Sequence, residues 1–330
     1  AATEAWEQSG MRGGDVDRSR IGVFVGTSRG PINKWAETSR LVDQKRFFPS
    51  LAAASTIACG SGALAQAFGA TGPAVTVSAA CASAAFAIIQ GAQELALGNV
   101  DVAVVGGMEA ALESTVARCL TEAGVVAQGD DPAVICRPFS PDRNGLILGE
   151  GAGFLILERA SHARARSAPM LASLTGWSSG NDTAGRVGLT ETGEHLSKVL
   201  DDALARAKLT PDALGWINAH GSGTQLNDLS ESRAILQSGM GDVPVSSTKP
   251  ITGHCLGATP ALEAVLAVQA IQSGRIPFTA NTTAIDPECQ IRIVTETPAP
   301  LEKANVLSIS CGFWGSQAAL LFSAAQVGKP

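Results

Sequence analysis

Cys81 lies in TVSAACASAAFAIIQGAQELALG, residues 76–98, between an apolar β-like run and a helix-like run with almost no charge. A thiol in that position has two readings. It is a small core filler, or it is a nucleophile at a strand-to-helix corner. There the N–H groups of the first helical turn would favour the thiolate and offer donors to an oxyanion. The stretch alone leaves both open. The four histidines divide in the same way. His162, in ASHARARSA, and His195, beside Glu194, read as solvated side chains. His220 follows a strand-like run and opens HGSGTQLND, while His254 lies in STKPITGHCLGA with Lys249 five residues before it. Turn-rich corners at strand ends are where α/β proteins place their sites. A cysteine, two histidines, a lysine and the Gly-rich corner SCGFWGSQAAL supply a nucleophile, hydrogen-bond donors and a backbone-rich loop. That set suits acyl transfer through a thioester.

The elements that must position these residues alternate. RIGVFVG (Arg20–Gly26), AVTVS (Ala74–Ser78) and VDVAVVGG (Val100–Gly107) are short apolar runs that predict buried strands, and Ala82–Leu97 predicts a helix apolar nearly all round. GEGAGFLILE (Gly149–Glu158) is Gly-rich and then strand-like. Leu196, Val199, Leu200, Ala203, Leu204 and Ala207 recur at helical spacing within Glu194–Leu209. Further on, GWINAH (Gly215–His220) predicts a strand reaching His220, and Ala261–Gly274 a largely buried helix. Asn305–Ser310 and Ala318–Ser323 predict two strands joined by the Gly-rich corner. Strands alternating with helices indicate an α/β fold with buried sheets. The opening AATEAWEQSGM reads as a stretch from inside a helix, with a Gly exit.

Composition narrows the function. The chain has 330 residues, 45% hydrophobic, with a formal net charge of −6 and no long basic run, which disfavours nucleic-acid binding. No uninterrupted apolar stretch is long enough for a membrane span. Seven scattered cysteines, without a CxxC pair, argue against a disulfide scaffold or a zinc site and for reduced thiols in the cytoplasm. No signal-peptide pattern is read at the start. GEGAG looks like a phosphate loop but leads into a strand, so it reads as structural.

Five motifs, in order, carry a family resemblance: SAACASA, RPFSPDRNGLILGEGAGFLILE, NAHGSGTQLNDLSES, STKPITGHCLGATPALEA and SCGFWGSQAALLF. Together they resemble the β-ketoacyl synthases, the condensing enzymes of fatty acid and polyketide synthesis, and cover nearly the whole chain. The two-histidine pattern resembles the elongating type. The resemblance implies a thiolase-like, layered α-β-α-β-α fold built from two similar halves, residues 1–165 with Cys81 and residues 166–330 with His220, Lys249 and His254. The family's usual first strand and helices are absent from the sequence as read.

Carried over residue by residue, the resemblance makes Cys81 the nucleophile that takes the acyl chain. His220 and His254 become the pair that polarises the malonyl thioester during decarboxylation, with Lys249 tuning the second histidine. Glu231 matches a buried acidic partner, with a structural ion pair as its other reading. Ser222 and Thr224 match hydroxyls that contact the pantetheine arm. The N–H groups of Cys81 and Phe313 would form the oxyanion hole, with Phe313 also gating the acyl pocket. Trp314 stands where the family has Gly, Gln317 where it has Asn, and Cys311 where an aromatic is common, so Trp314 is expected to restrict the gate or narrow the pocket. The resemblance further implies acyl carrier protein as partner, a homodimer, and no metal or other cofactor beyond the carrier's own phosphopantetheine. The alternatives are a relative that transfers acyl groups or decarboxylates without condensing, and the partner subunit of a ketosynthase heterodimer. The partner type commonly lacks the cysteine.

Overall fold

Six consecutive buried residues, Ile21–Gly26, form strand β1 where RIGVFVG predicts one. A strand buried on both faces needs apolar residues in an unbroken run rather than in alternation. The computed structural model in which it is seen describes residues 1–11, 16–46, 48–131, 133–186 and 189–325. The chain divides into two units that interleave along the sequence. Ala1–Ala117, Glu150–Pro169 and Cys255–Leu262 make the first, while Arg118–Gly149, Met170–His254 and the chain from Glu263 onward make the second.

In the first unit β1 lies between two parallel neighbours, β2 (Ala74–Val77) and β3 (Val102–Glu109), and β4 (Gly151–Glu158) pairs antiparallel with β3. The helix read at Ala82–Leu97 spans Ser83–Ala96, and nine of its fourteen residues are buried. It begins directly over the sheet. A Cβ on Gly26 would stand 2.3 Å from the backbone nitrogen of Ala84, and one on Gly107 would stand 2.6 Å from the Ala84 Cβ. Only glycine permits that approach, and it seats the chain around Cys81 on the ends of β1 and β3. The opening segment forms the helix Ala2–Gln8, whose Trp6 stacks on Phe68 at 4.8 Å, and Gly10 exits it with φ +65°. The GEGAG stretch packs as a structural element, with β4 starting inside it and a Cβ on Gly153 meeting the Ala261 backbone at 2.8 Å.

The second unit holds a five-stranded sheet built from β5 (Ala172–Asn181), β6 (Trp216–Asn218), β7 (Val245–Ser246), β10 (Asn305–Cys311) and β11 (Ser316–Ala324). Its order is β5-β11-β10-β6-β7. A separate pair joins β8 (Arg275–Ile276) to β9 (Ala299–Pro300). β6 runs parallel to β10 and β7, whereas β11 is antiparallel to both of its neighbours. The predicted amphipathic helix spans Glu194–Ala207 and buries Leu196, Val199, Leu200, Ala203 and Leu204 in the core with Ile217, Leu307, Ile309 and Leu321. The buried helix read at Ala261–Gly274 spans Thr259–Ser273. β6 is shorter than the Gly215–His220 stretch read from sequence, so His220 lies two residues past its end, in the loop.

Candidate active site

In the first unit the chain turns sharply from β2 into the Ser83 helix. Ala80, one residue before Cys81, holds φ +48°, a left-handed conformation that costs a non-glycine residue roughly 1–2 kcal/mol. The Ser83 hydroxyl holds the turn closed, donating to the Ala80 carbonyl at 2.6 Å and accepting from the Ala79 N–H at 2.9 Å. Cys81 is half-buried on this corner, ahead of a helix start that no side chain caps. Strain of this kind persists where the surroundings over-determine it, and it gathers at functional corners. Near the same strand ends, Glu109 is a buried carboxylate that sequence reading missed. It accepts from the N–H groups of Ser28 (2.7 Å), Arg29 (3.1 Å) and Gly257 (3.0 Å), and from the hydroxyls of Thr27 and Ser28.

In the second unit His220 and His254 meet edge to face, ring centroids 5.2 Å apart, and they are 5% and 1% exposed. Each is fixed through its backbone. Glu231 accepts the N–H groups of His220 at 2.6 Å and Gly221 at 2.8 Å. The His254 N–H donates to the Ile147 carbonyl at 2.7 Å, and its own carbonyl accepts from Gly149 at 3.0 Å. Lys249, fully buried, donates to Glu263 at 2.7 Å and to the carbonyl of His220. Burial holds both imidazoles well below their ordinary range, and the positive charge of Lys249 adds to the effect. Both rings are therefore neutral near pH 7, each with one N–H donor.

The carboxylate paired with Lys249 is Glu263, which sequence reading did not single out, and not Glu231. Among the described residues Glu231 forms no ion pair; burial pushes it up to about 7 while the loop N–H groups of Gly221 and His220 pull it back. Its role here is to hold the backbone of the first histidine. Glu263 is likewise pushed up to about 7 by burial and drawn down by Lys249. Removing one member of such a buried pair costs about 3–5 kcal/mol, which makes Lys249 and Glu263 a structural unit as well as a source of field. The hydroxyls of Ser222 and Thr224 lie 2.9 Å apart on the same loop.

At the corner after β10, Phe313 is half-buried and Trp314 is 65% exposed with φ +62°. The Trp314 N–H donates to the Arg186 carbonyl at 2.9 Å, and the Arg186 guanidinium stands 5.7 Å from the indole. Gly315 follows with φ +77°, and a Cβ there would lie 1.8 Å from the Asp182 carbonyl oxygen. His195 is exposed, as read. His162 is not simply solvated: its Nδ1, on the short helix Ala160–Ala165, lies 2.6 Å from Glu158, the last residue of β4. Among the described residues no group of three or more His, Cys, Asp or Glu side chains is placed to hold a metal ion, and no helix is long and apolar enough to cross a membrane.

Comparison with known proteins identifies the family of the chain. The model of the β-ketoacyl synthase N-terminal domain matches residues 1–163, and that of the C-terminal domain matches residues 171–283. The ketoacyl synthase alpha subunit of the tetracenomycin polyketide synthase of Streptomyces glaucescens is 36% identical over 98% of this chain and 79% of its own length. The 3-oxoacyl-[acyl-carrier-protein] synthase 2 of Mycobacterium bovis is 34% identical over 96% of this chain and 77% of its own length. A solved type II polyketide acyl-carrier protein in complex with its ketosynthase superposes with a TM-score of 0.92 at 28% identity, covering 99% of this chain and 83% of that one. With both family models in tandem and relatives alike along nearly its whole length, the chain belongs to the β-ketoacyl synthase family and carries that family's thiolase-like α/β fold.

Proposed function

We propose that Cys81, His220 and His254 carry out a decarboxylative Claisen condensation between an acyl group and a malonyl group, both delivered on acyl carrier protein. The Cys81 thiolate attacks the acyl thioester carbonyl, and the carrier's pantetheine thiolate leaves. A malonyl carrier then binds with its thioester carbonyl oxygen accepting from the imidazole N–H groups. As carbon dioxide departs, the electron pair of the broken C–C bond becomes an enolate stabilised by those donors. The enolate carbon attacks the Cys81 thioester, the thiolate is released, and the β-ketoacyl chain remains on the carrier. The electron pair comes from the malonyl group itself, so the chemistry calls on no cofactor of the protein's own. The single observation that carries this reading is the buried, neutral histidine pair set beside Lys249.

Other parts of the reading rest on analogy with relatives. Ser222 and Thr224 contact the pantetheine arm, the N–H groups of Cys81 and Phe313 form the oxyanion hole, and Phe313 gates the acyl pocket. The family's acyl carrier protein is the partner, as in the carrier–ketosynthase complex above. The second copy of a homodimer pairs along an edge of the first sheet, where β2 is an end strand. The matches of the two family models, at residues 1–163 and 171–283, support a division into halves at 165/166. A cytoplasmic setting is in keeping with seven cysteines that no disulfide joins. The presence of Cys81 speaks against the non-catalytic partner subunit.

The test is the product. Incubation with an acyl carrier and a malonyl carrier should yield a β-ketoacyl carrier two carbons longer and one carbon dioxide per turnover. Acylation of the protein without elongation would instead identify a non-condensing acyltransferase. Trp314 bears on the range of chains accepted. Its left-handed backbone costs roughly 1–2 kcal/mol, and its contact with Arg186 returns about 0.5–1 kcal/mol. Trp314→Gly is therefore expected to leave the melting temperature unchanged or slightly raised, while freeing the corner that carries Phe313. Competition among acyl carriers of increasing length should show a broadened profile, and an unchanged profile removes Trp314 from gating.

A further inference from the structure

We infer that Arg143 is a positioning residue for the loop that carries Ser222 and Thr224, acting through the buried carboxylate of Asp228. The inference rests on the reading of those two hydroxyls as contacts for the pantetheine arm, and it gives a role to the motif RPFSPDRNG, which the chemistry above leaves unused. Arg143 is 2% exposed. Its Nη1 donates to Asp286 at 2.6 Å and to the Ser140 carbonyl at 2.8 Å. Its Nη2 donates to the Gln225 carbonyl at 3.1 Å, and its Nε stands 3.6 Å from Asp228. Gln225 answers by donating its side-chain amide to the Arg143 carbonyl at 2.5 Å.

Asp228 is where this strap meets the loop. One of its oxygens accepts from the Phe139 N–H at 2.9 Å and the other from the Gly223 N–H at 3.2 Å. The Gly145 N–H closes the arrangement on the Gly223 carbonyl at 2.9 Å. Both loop glycines are left-handed, Gly221 at φ +40° and Gly223 at φ +81°, and Phe139, fully buried, holds φ +64°. These backbone conformations need external anchors, and the anchors at Phe139 and Gly223 converge on one carboxylate. Burial pushes the Asp228 carboxyl above its ordinary range, and the Phe139 N–H and then the charge of Arg143, whose Nε stands 3.6 Å away, draw it back toward the ionised form that accepts both N–H groups. His220 has its own anchor, Glu231, which Asn227 links to Asp228 by donating to both carboxylates, at 3.1 Å to Asp228 and 3.4 Å to Glu231. Arg143 therefore acts more directly on the placement of residues 222–224 than on the histidine, and its loss should weaken binding of the arm more than the chemistry.

The experiment compares two malonyl donors: malonyl acyl carrier protein, which has the full pantetheine arm, and the malonyl thioester of ethanethiol, which lacks the arm's amides. Arg143→Lys keeps the charge but not the forked geometry. It is expected to raise KM for the malonyl carrier about tenfold, the scale of one or two modest hydrogen bonds, with kcat within about threefold. With the ethanethiol thioester kcat/KM should match that of the wild type. An equal loss on both donors, or an unchanged KM for the carrier, overturns the inference. Should Arg143→Lys fail to fold, Asp286→Asn removes only one partner of the guanidinium and should raise KM for the carrier alone in the same sense; no selective rise overturns the inference equally. Ser222→Ala with Thr224→Val separates the two levels. If that pair leaves KM for the carrier unchanged, the pantetheine reading fails and the inference falls with it. If it raises KM while the Arg143 and Asp286 variants do not, only the role of Arg143 is lost.

Discussion

Cys81→Ala is expected to abolish condensation, by at least about a thousandfold, because the nucleophile that holds the acyl chain is gone. Intact mass is the cleanest readout. Wild-type protein incubated with acyl carrier should gain the mass of the acyl group, and the variant should gain nothing. The loss would be chemical and not structural. Alanine keeps the backbone demands of position 81, and the turn is held by Ser83 against Ala79 and Ala80, none of which the substitution touches. The thermal midpoint should therefore shift little. Decarboxylation of malonyl carrier should continue in the variant, because the backbones of His220 and His254 are fixed by Glu231, Ile147 and Gly149. Retained condensation would remove Cys81 from the mechanism; a mass gain in the variant would place the acyl group on another side chain.

Much of this was legible in the sequence, and the parts that were not share a physical cause. Strands such as β1 and β3 announce themselves because unbroken β-branched runs have few other uses. The Glu194–Ala207 helix does so by its apolar stripe. The helix Gln225–Gln237 has no such stripe. It buries Asn227, Asp228, Ser230, Glu231 and Ser232, so its inward face is polar and no apolar stripe marks it in the sequence. Asp228 and Glu231 face inward because the loop of His220 carries N–H groups that need acceptors, and apolar residues there would have left them unsatisfied. β5 escaped for a related reason: ASLTGWSSGN is half-buried and rich in small polar residues, and its Gly176 makes room for the Ala203 carbonyl.

Lys249 was found through its motif, but its partner Glu263 was not. The signal existed: a lone acid in the apolar stretch ALEAVLAVQ is costly unless a buried cation meets it. Glu109 was beyond reach, because nothing local in VVGGMEA shows that the donors of residues 27–29 and 257 converge there.

His254→Ala should separate the two half-reactions. Acylation of Cys81 should persist, while carbon dioxide release from malonyl carrier should fall by about a hundred- to a thousandfold, the usual cost of removing one preorganised donor from a developing oxyanion. The ring removed is neutral, so no opposing charge is stranded, and the backbone of residue 254 remains tied to Ile147 and Gly149. Loss of acylation with intact decarboxylation would reverse the roles. The pH dependence gives an independent check on the same pair. A histidine held below its ordinary value of 6.5 stays neutral, with its single N–H as donor, as pH falls through 6.5. Wild-type decarboxylation should therefore be flat there. Burial sets most of that depression and the charge of Lys249 the next part. In Lys249→Met the charge is gone, the histidine values rise, and protonation, with the change of rate it brings, should begin at a higher pH than in the wild type. Glu263→Gln, combined with it, removes the carboxylate left behind and guards against a misfolded comparison. An acid limb that stays in place in both variants would mean that Lys249 holds the fold at this site without tuning the histidines.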